Sequence, residues 1–473
     1  MSIKHKFKEM LSGNYPLLAI LIGVILVSLP LGLYQNTDTE VEFSTVQGVL
    51  KWGYPYLEVE GNLFDLPPLG FYAAALFLLI FGSTIENGVA LIMLFGLAST
   101  VLVYKLGKEV YSKSTGLFAA AFFALAPWQL VLTRAFLVDA QCLFLSLVCL
   151  YFGVVAIRKD SFRLALVSGI FFAAALLTKQ YAVFMLIPLL FLYVYHRPSN
   201  PKQILLQLGA FILPAVHATL WWYNIIMGKW LLYFVQHGDF GNFNAPGVVP
   251  SYSFMTTFLM DYGLGVFFIA ATAFSLGIGV LFWKWFPKQS VVFDLVCLVT
   301  VLFVLGLNMY LGVALNLKVP YTSAIKYSYQ SLPFFSLVAG SLASKSVLLL
   351  KSARKANRAR IDRLKRILLL SVGLVGLFLL VTPLFASINT AWELATVSHV
   401  IFRVQPNQDL GYTFLIPFPS RETMPMPALV QFYGFIIILS GLLWASRHFL
   451  LSSMKRCFAL LVRKRDRSHS SFA

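Results

Sequence analysis

The sequence predicts an all-α, polytopic membrane helical bundle of about twelve transmembrane helices, with interfacial helices in the first outer loop. Three observations point that way. The 473 residues are 59% hydrophobic and only 12% charged, with a mean hydropathy of +0.78, whereas soluble domains run at about 45–50% apolar and about 25% charged. Apolar runs of spanning length recur from Tyr15 to Trp444, with no polar block between them large enough to fold alone. Basic residues sort to one side of the map that those runs define.

A hydrocarbon core of about 30 Å takes about 20 apolar residues as helix. Windows of that kind centre near residues 25, 77, 96, 124, 149, 171, 188, 215, 274, 303, 340, 377 and 437. The first follows Lys4, Lys6 and Lys8 and runs from Pro16 to Tyr34. It is too long for a signal-peptide core and lacks a small-x-small cleavage site, so it is expected to stay attached as a signal anchor. If every window crossed, the loop Lys105 to Thr115 and the basic loops after it would lie outside, against the positive-inside rule. The segment Leu69 to Ser83, which follows Pro67-Pro68, is therefore placed at the outer interface without crossing. Twelve crossings then put 29 of the 37 basic residues inside and 13 of the 19 acids outside, or +23 within and −5 without.

This map predicts both termini in the cytoplasm of a multi-pass cell-membrane protein. Residues 1–200 form a first transmembrane module with its functional outer loop at 35–87. Residues 201–446 form the remaining helices, with outer loops 228–262, 316–330 and 389–427, and residues 447–473 a basic tail. The formal charge of +18 suggests nucleic acid until position is considered. The run Lys351 to Arg366 is explained by topology and anionic membrane lipids, so no nucleic-acid partner is expected. Cys142, Cys149, Cys297 and Cys457 have neither a disulfide framework nor zinc spacing.

The outer loops hold the residues with chemistry to offer. Asp38, Glu40 and Glu42 open the first loop directly after a crossing, where acids must face water or a polar cavity. Glu42, Glu58 and Glu60 need no role beyond marking a non-cytoplasmic loop. The second outer loop places Arg134 and Asp139 at the same face as Asp38, a surface pair at its simplest. Lys179 stands between two apolar runs on the outside, where lysine is disfavoured, and Lys326 is a second outer cation at the mouth of a crossing. Snorkelling to lipid headgroups explains either lysine taken alone.

Together these residues resemble the polyprenyl-phosphate-sugar glycosyltransferases of the GT-C fold, in particular the protein O-mannosyltransferase and lipid A aminoarabinose transferase superfamily. Asp38 and Gly53 keep the family's spacing after the first crossing, with Thr39 where the family has Glu. Pro67-Pro68-Leu69 matches its interfacial-helix motif, with Leu66 where it has a cation. Arg134 and Asp139 match its second outer motif, Thr178-Lys179 its Thr-Lys-Gly turn with Gln180 where the family has Gly, and Lys326-Tyr327 with Pro333 its Arg-Tyr and Pro with Lys326 where the family has Arg, all in order.

The resemblance implies a GT-C-like bundle that moves a sugar from a polyprenyl- or dolichyl-phosphate donor to a protein or lipid acceptor at the outer face, with inversion. Such transfer needs a base for the acceptor and positive charge for the departing phosphate. Asp38 is the expected base with Glu40 as alternate, Lys179, Lys326 and Arg134 the phosphate-stabilising cations, and Asp139 the residue that orients Arg134 or the acceptor. Asp38, Glu40 and Asp139 could hold a divalent ion through oxygen ligands, but the cations make one unnecessary, and no cofactor is expected. A lipid-linked-sugar flippase is the competing class, and a non-catalytic relative a third. The expected absence of charges inside the crossings favours the enzyme, since a transporter places them near the midplane.

Overall fold

The computed structural model describes residues 3–28, 37–58, 61–63, 66–196, 201–222, 264–282, 286–314, 329–356, 367–380, 433–434 and 436–442. Lys326, the outer loops 228–262 and 389–427, nearly all of 316–330, and the tail 447–473 lie outside them. Among the described residues the architecture is helical throughout, apart from one antiparallel pairing of Tyr56–Leu57 with Asn62–Leu63.

α1 (Ile3–Ser28) leads to α2 (Thr37–Trp52), a polar helix in the first loop. α2 ends where Gly53 turns to φ 81° and returns its N–H to the Val49 carbonyl at 2.9 Å. Only glycine takes that conformation without cost, which accounts for the glycine the sequence carries there.

α3 (Leu69–Phe81) is the apolar segment that the charge map keeps out of the crossings. At 1.5 Å per residue its 13 residues span about 20 Å. Its two ends are tied to one end of the bundle. The Leu69 N–H donates to the Leu177 carbonyl at 2.9 Å, and beyond its far end Ser83 exchanges hydrogen bonds with the Gln47 side chain of α2 at 2.8 and 3.1 Å. Gln47 stands only five residues along α2 from Glu42, which itself reaches Val138, and Val138 and Thr178 meet at Gly70 of α3. α3 thus leaves and returns to the same end. It packs Phe71, Ala74, Ala75 and Leu78 inward and leaves Leu76, Leu79 and Ile80 exposed on the other side, the two-faced apolarity of a helix lying against lipid.

Cysteines placed at Ser83 and Ser112 test this path. A membrane-impermeant thiol reagent added outside intact cells is expected to label position 83 and spare position 112; the reverse pattern would overturn the map. The described native cysteines, Cys142, Cys149 and Cys297, are buried and add little background.

α4 (Ile85–Val110) starts at that end, capped by the Thr84 hydroxyl, and α5 (Lys113–Leu125) returns from a Ser112 cap, continuing through Pro127 into α6 (Pro127–Leu132). A Cβ on Gly107 would lie 2.6 Å from the Gly116 Cα, and one on Gly340 2.5 Å from the Thr115 carbonyl. Small residues thus let α4, α5 and the helix Leu332–Ala356 approach backbone to backbone, as helices must where lipid offers no hydrophobic drive.

α7 (Asp139–Lys159) and α8 (Phe162–Leu176) form a hairpin closed by Asp160 at φ 52°. The Gln207 amide of α10 (Pro201–Leu220) donates to the Asp160 carboxylate at 2.6 Å. α9 (Leu186–His196) lies between, and Arg158 pairs with Glu109 at 2.9 Å at the end of the bundle opposite α3. Four described helices are long and apolar enough to cross a bilayer: Ile85–Val110, Asp139–Lys159, Lys202–Leu220 and Tyr329–Ser352. One apolar core joins Ile20, Phe71, Phe136, Phe211, Phe293 and Leu337.

The charge map errs at Lys345, which is counted among its 29 basic residues on the inside. Lys345 is 3% exposed and ion-paired inside the bundle with Asp294, which is fully buried. Asp294 also accepts from Ser275 at 2.6 Å, Tyr111 at 2.6 Å and Ser341 at 3.3 Å. The helix interiors therefore do carry charge, paired and hydrogen-bonded as burial demands. Removing one partner of such a pair costs about 3 kcal/mol or more. Asp294→Lys and Lys345→Asp are each expected to lower thermal stability in detergent by that order, and the double exchange to recover part of it; additive losses would show the two residues are not coupled.

Candidate active site

The site is built at the α3 end of the bundle from three chain segments. α2 carries Asp38 and Glu40 in its first turn, where the helix dipole favours acids. Glu42 stands one full turn after Asp38, on the same face. The segment between α6 and α7 carries Arg134 and ends at Asp139, the first residue of α7. Lys179 follows α8 in extended conformation and caps a 3-10 turn, Gln180–Met185.

Lys179 is the centre of the arrangement. Its Nζ lies 2.7 Å from Asp139 Oδ2 and 3.5 Å from Glu42 Oε1. All three side chains are 2–3% exposed. Burial pulls the Lys179 pKa down, but the carboxylates of Asp139 and Glu42, with Asp38 at longer range, push it up further, and the ammonium stays charged. The Tyr181 ring, 5.7 Å from the ammonium, adds a cation–π contact. The second oxygen of Glu42 accepts the Val138 N–H at 2.8 Å.

Packing fixes these segments against each other. Phe43, beside Glu42, meets Phe136 edge to face at 5.4 Å. A Cβ on Gly70 of α3 would lie 2.8 Å from the Val138 side chain and 3.2 Å from Thr178, and one on Gly88 would lie 2.5 Å from Phe136. Below, the buried Tyr329 hydroxyl bonds the Gln129 side chain, and the Gln330 amide reaches Cys142 Sγ at 3.5 Å, which joins the helix Leu332–Ala356 to this end.

The expected site residues fall as follows. Asp38 is half-buried and Glu40 exposed. Arg134 is half-buried with Nη1 3.0 Å from Met93 Sδ, and burial draws its pKa down to about 10, leaving it cationic at neutral pH. Asp139 takes Lys179 as its cation, at a distance that corrects the expected Arg134–Asp139 pair. Lys179 is enclosed by carboxylates instead of standing open to a phosphate. Lys326 lies outside the described residues. Glu42, which the sequence reading left as a loop marker, is a member of the cluster; its four-residue spacing from Asp38 was the available signal.

Among the described residues no group of three or more His, Cys, Asp and Glu is arranged to hold a metal ion. The ammonium of Lys179 lies between Asp139 and Glu42.

Residues 65–222 match the family described as dolichyl-phosphate-mannose-protein mannosyltransferase. The fold is similar to that of ArnT from Cupriavidus metallidurans in the apo state, with 13% identity and a TM-score of 0.50, over 83% of this chain and 76% of that one. The chain has the GT-C fold. It also aligns with the GT-C protein AglB from Archaeoglobus fulgidus at 15% identity and a TM-score of 0.47, over 81% of this chain and 56% of that one. With EmbB from Mycobacterium smegmatis the figures are 10% and 0.44, over 92% and 41%. The chain thus spans little more than half of AglB and less than half of EmbB. None of the curated protein sequences matches. The family match takes in Arg134, Asp139 and Lys179 and leaves Asp38 and Lys326 outside it.

Proposed function

We propose that the protein is a membrane glycosyltransferase that moves a sugar from a polyprenyl- or dolichyl-phosphate donor to a protein or lipid acceptor at the non-cytoplasmic face, with inversion. The observation that carries this reading is the gathering of Asp38, Glu42, Asp139 and Lys179 at one end of a GT-C bundle, beside α3 with its exposed apolar face. The family matched by residues 65–222, whose description names a dolichyl-phosphate sugar, supports the donor class.

In this reading the Asp38 carboxylate takes the proton of the acceptor nucleophile. The nucleophile forms its bond to the anomeric carbon as the bond from that carbon to the phosphate oxygen breaks. The polyprenyl phosphate leaves with the electron pair, and Arg134 and Lys326 supply positive charge to it. A cation placed where charge develops lowers the barrier without a divalent ion. Lys179 lies between Asp139 and Glu42 and balances one of their two negative charges, which sets the local field in which Asp38 works.

The test is incubation of membranes containing the protein with a panel of radiolabelled polyprenyl-phosphate sugars, followed by separation of protein and lipid products. Label in one product class, dependent on one sugar, is the expected result. Movement of intact donor across the membrane with no labelled product would replace the enzyme by a flippase.

A further inference from the structure

We propose that Glu42 is the positioning residue of the transfer site, joining the helix that bears Asp38 to the start of α7 and to the Lys179 turn. The inference rests on the glycosyltransferase reading above and adds a residue to it.

The case is geometric. Glu42 uses both carboxylate oxygens on two other segments, Oε2 on the Val138 N–H at 2.8 Å and Oε1 toward the Lys179 ammonium at 3.5 Å. Val138 immediately precedes Asp139, the other carboxylate on Lys179. The three segments are therefore triangulated through one side chain that is 2% exposed. Asp38 lies one turn earlier on the same helix face, so the angle and height of α2 at Glu42 set where Asp38 stands.

Burying a carboxylate is costly unless it is paired and hydrogen-bonded, and Glu42 is both. A leucine at position 42 would leave the Val138 N–H without its acceptor and Lys179 without one of its two carboxylates. The charge is thus explained by what it holds.

The roles of hydrogen bond and charge separate in two variants. Glu42→Gln keeps an oxygen for Val138 N–H and removes the charge; Glu42→Leu removes both. A displacement of about 1 Å at a reacting group costs on the order of 10²-fold in rate. In purified protein in nanodiscs, Glu42→Leu is expected to lose roughly 10²-fold in kcat and Glu42→Gln roughly 10-fold, each with donor KM within about twofold of the parent. Amide hydrogen exchange at the peptide covering Val138 is expected to quicken in Glu42→Leu and stay slow in Glu42→Gln.

A folded Glu42→Leu protein with parental kcat would overturn the proposal. So would a rate loss accounted for entirely by a smaller folded fraction. If Glu42→Leu does not fold, Glu42→Gln decides alone, and parental kcat there would overturn the proposal. Failure of the parent reading has a different signature: the unsubstituted protein transfers no sugar from any donor, while exchange at Val138 still reports whether the bridge exists.

Discussion

Asp38→Asn is expected to abolish detectable transfer while leaving the protein inserted and folded. The amide keeps the shape of the carboxylate but cannot accept the proton of the nucleophile, and removal of a general base costs about 10²- to 10⁴-fold in rate. Stability should change little, because Asp38 is only half-buried and acts on Lys179 from longer range than Asp139 or Glu42. Glu40→Gln, at an exposed position two residues on, is expected to leave most of the rate. Single-turnover transfer with saturating donor measures both variants, with thermal unfolding as the control for folding. Near-parental turnover in a well-folded Asp38→Asn protein would move the base elsewhere, with Glu40 tested next.

Lys179→Met carries the second large effect, and it falls first on folding. Met keeps most of the apolar length but leaves Asp139 and Glu42, both buried, without their cation. Breaking a buried pair costs about 3–5 kcal/mol, and two stranded carboxylates place this site at the upper end. The expected result is a sharp loss of folded protein and a lowered unfolding temperature. Asp139→Asn added to Lys179→Met should restore part of the stability and none of the transfer. A lysine that contacted the donor phosphate from an open position would behave otherwise. Its Met variant would fold normally and lose a charge-assisted contact of about 1.5–3 kcal/mol, roughly 10- to 150-fold in donor affinity. Folding and donor titration of the same nanodisc preparation separate the two outcomes, and a stable variant with weakened donor binding would return Lys179 to the phosphate.

What was legible in the sequence was what a one-dimensional rule governs. The positive-inside rule singled out Leu69 to Ser83, and the structure ties α3 by its two ends to one end of the bundle. The same rule marked Lys179 as out of place, and burial among carboxylates is its physical reason. Glu42 is not legible from its spacing alone, because its place on one face with Asp38 follows only from Thr37–Trp52 being a single helix. The Asp139–Lys179 pair joins residues 40 apart, a separation at which nothing in a linear reading favours Lys179 over the nearby Arg134. Lys345 misled for a related reason. It begins a run of basic residues, and its partner Asp294 lies on another helix 51 positions earlier.

That last separation bears on how the chain is made. Synthesis is vectorial, so the helix holding Asp294 enters the membrane before the helix holding Lys345 has been translated. An unpaired Asp or Lys near a helix centre costs about 2.5–3.5 kcal/mol at insertion. For an interval of 51 residues the nascent protein holds that carboxylate against only the hydroxyls already made, those of Tyr111 and Ser275. These two groups thus serve as provisional hosts during biogenesis, until Lys345 arrives to pair with Asp294. Docking of Leu332–Ala356 becomes a late, committing step of assembly.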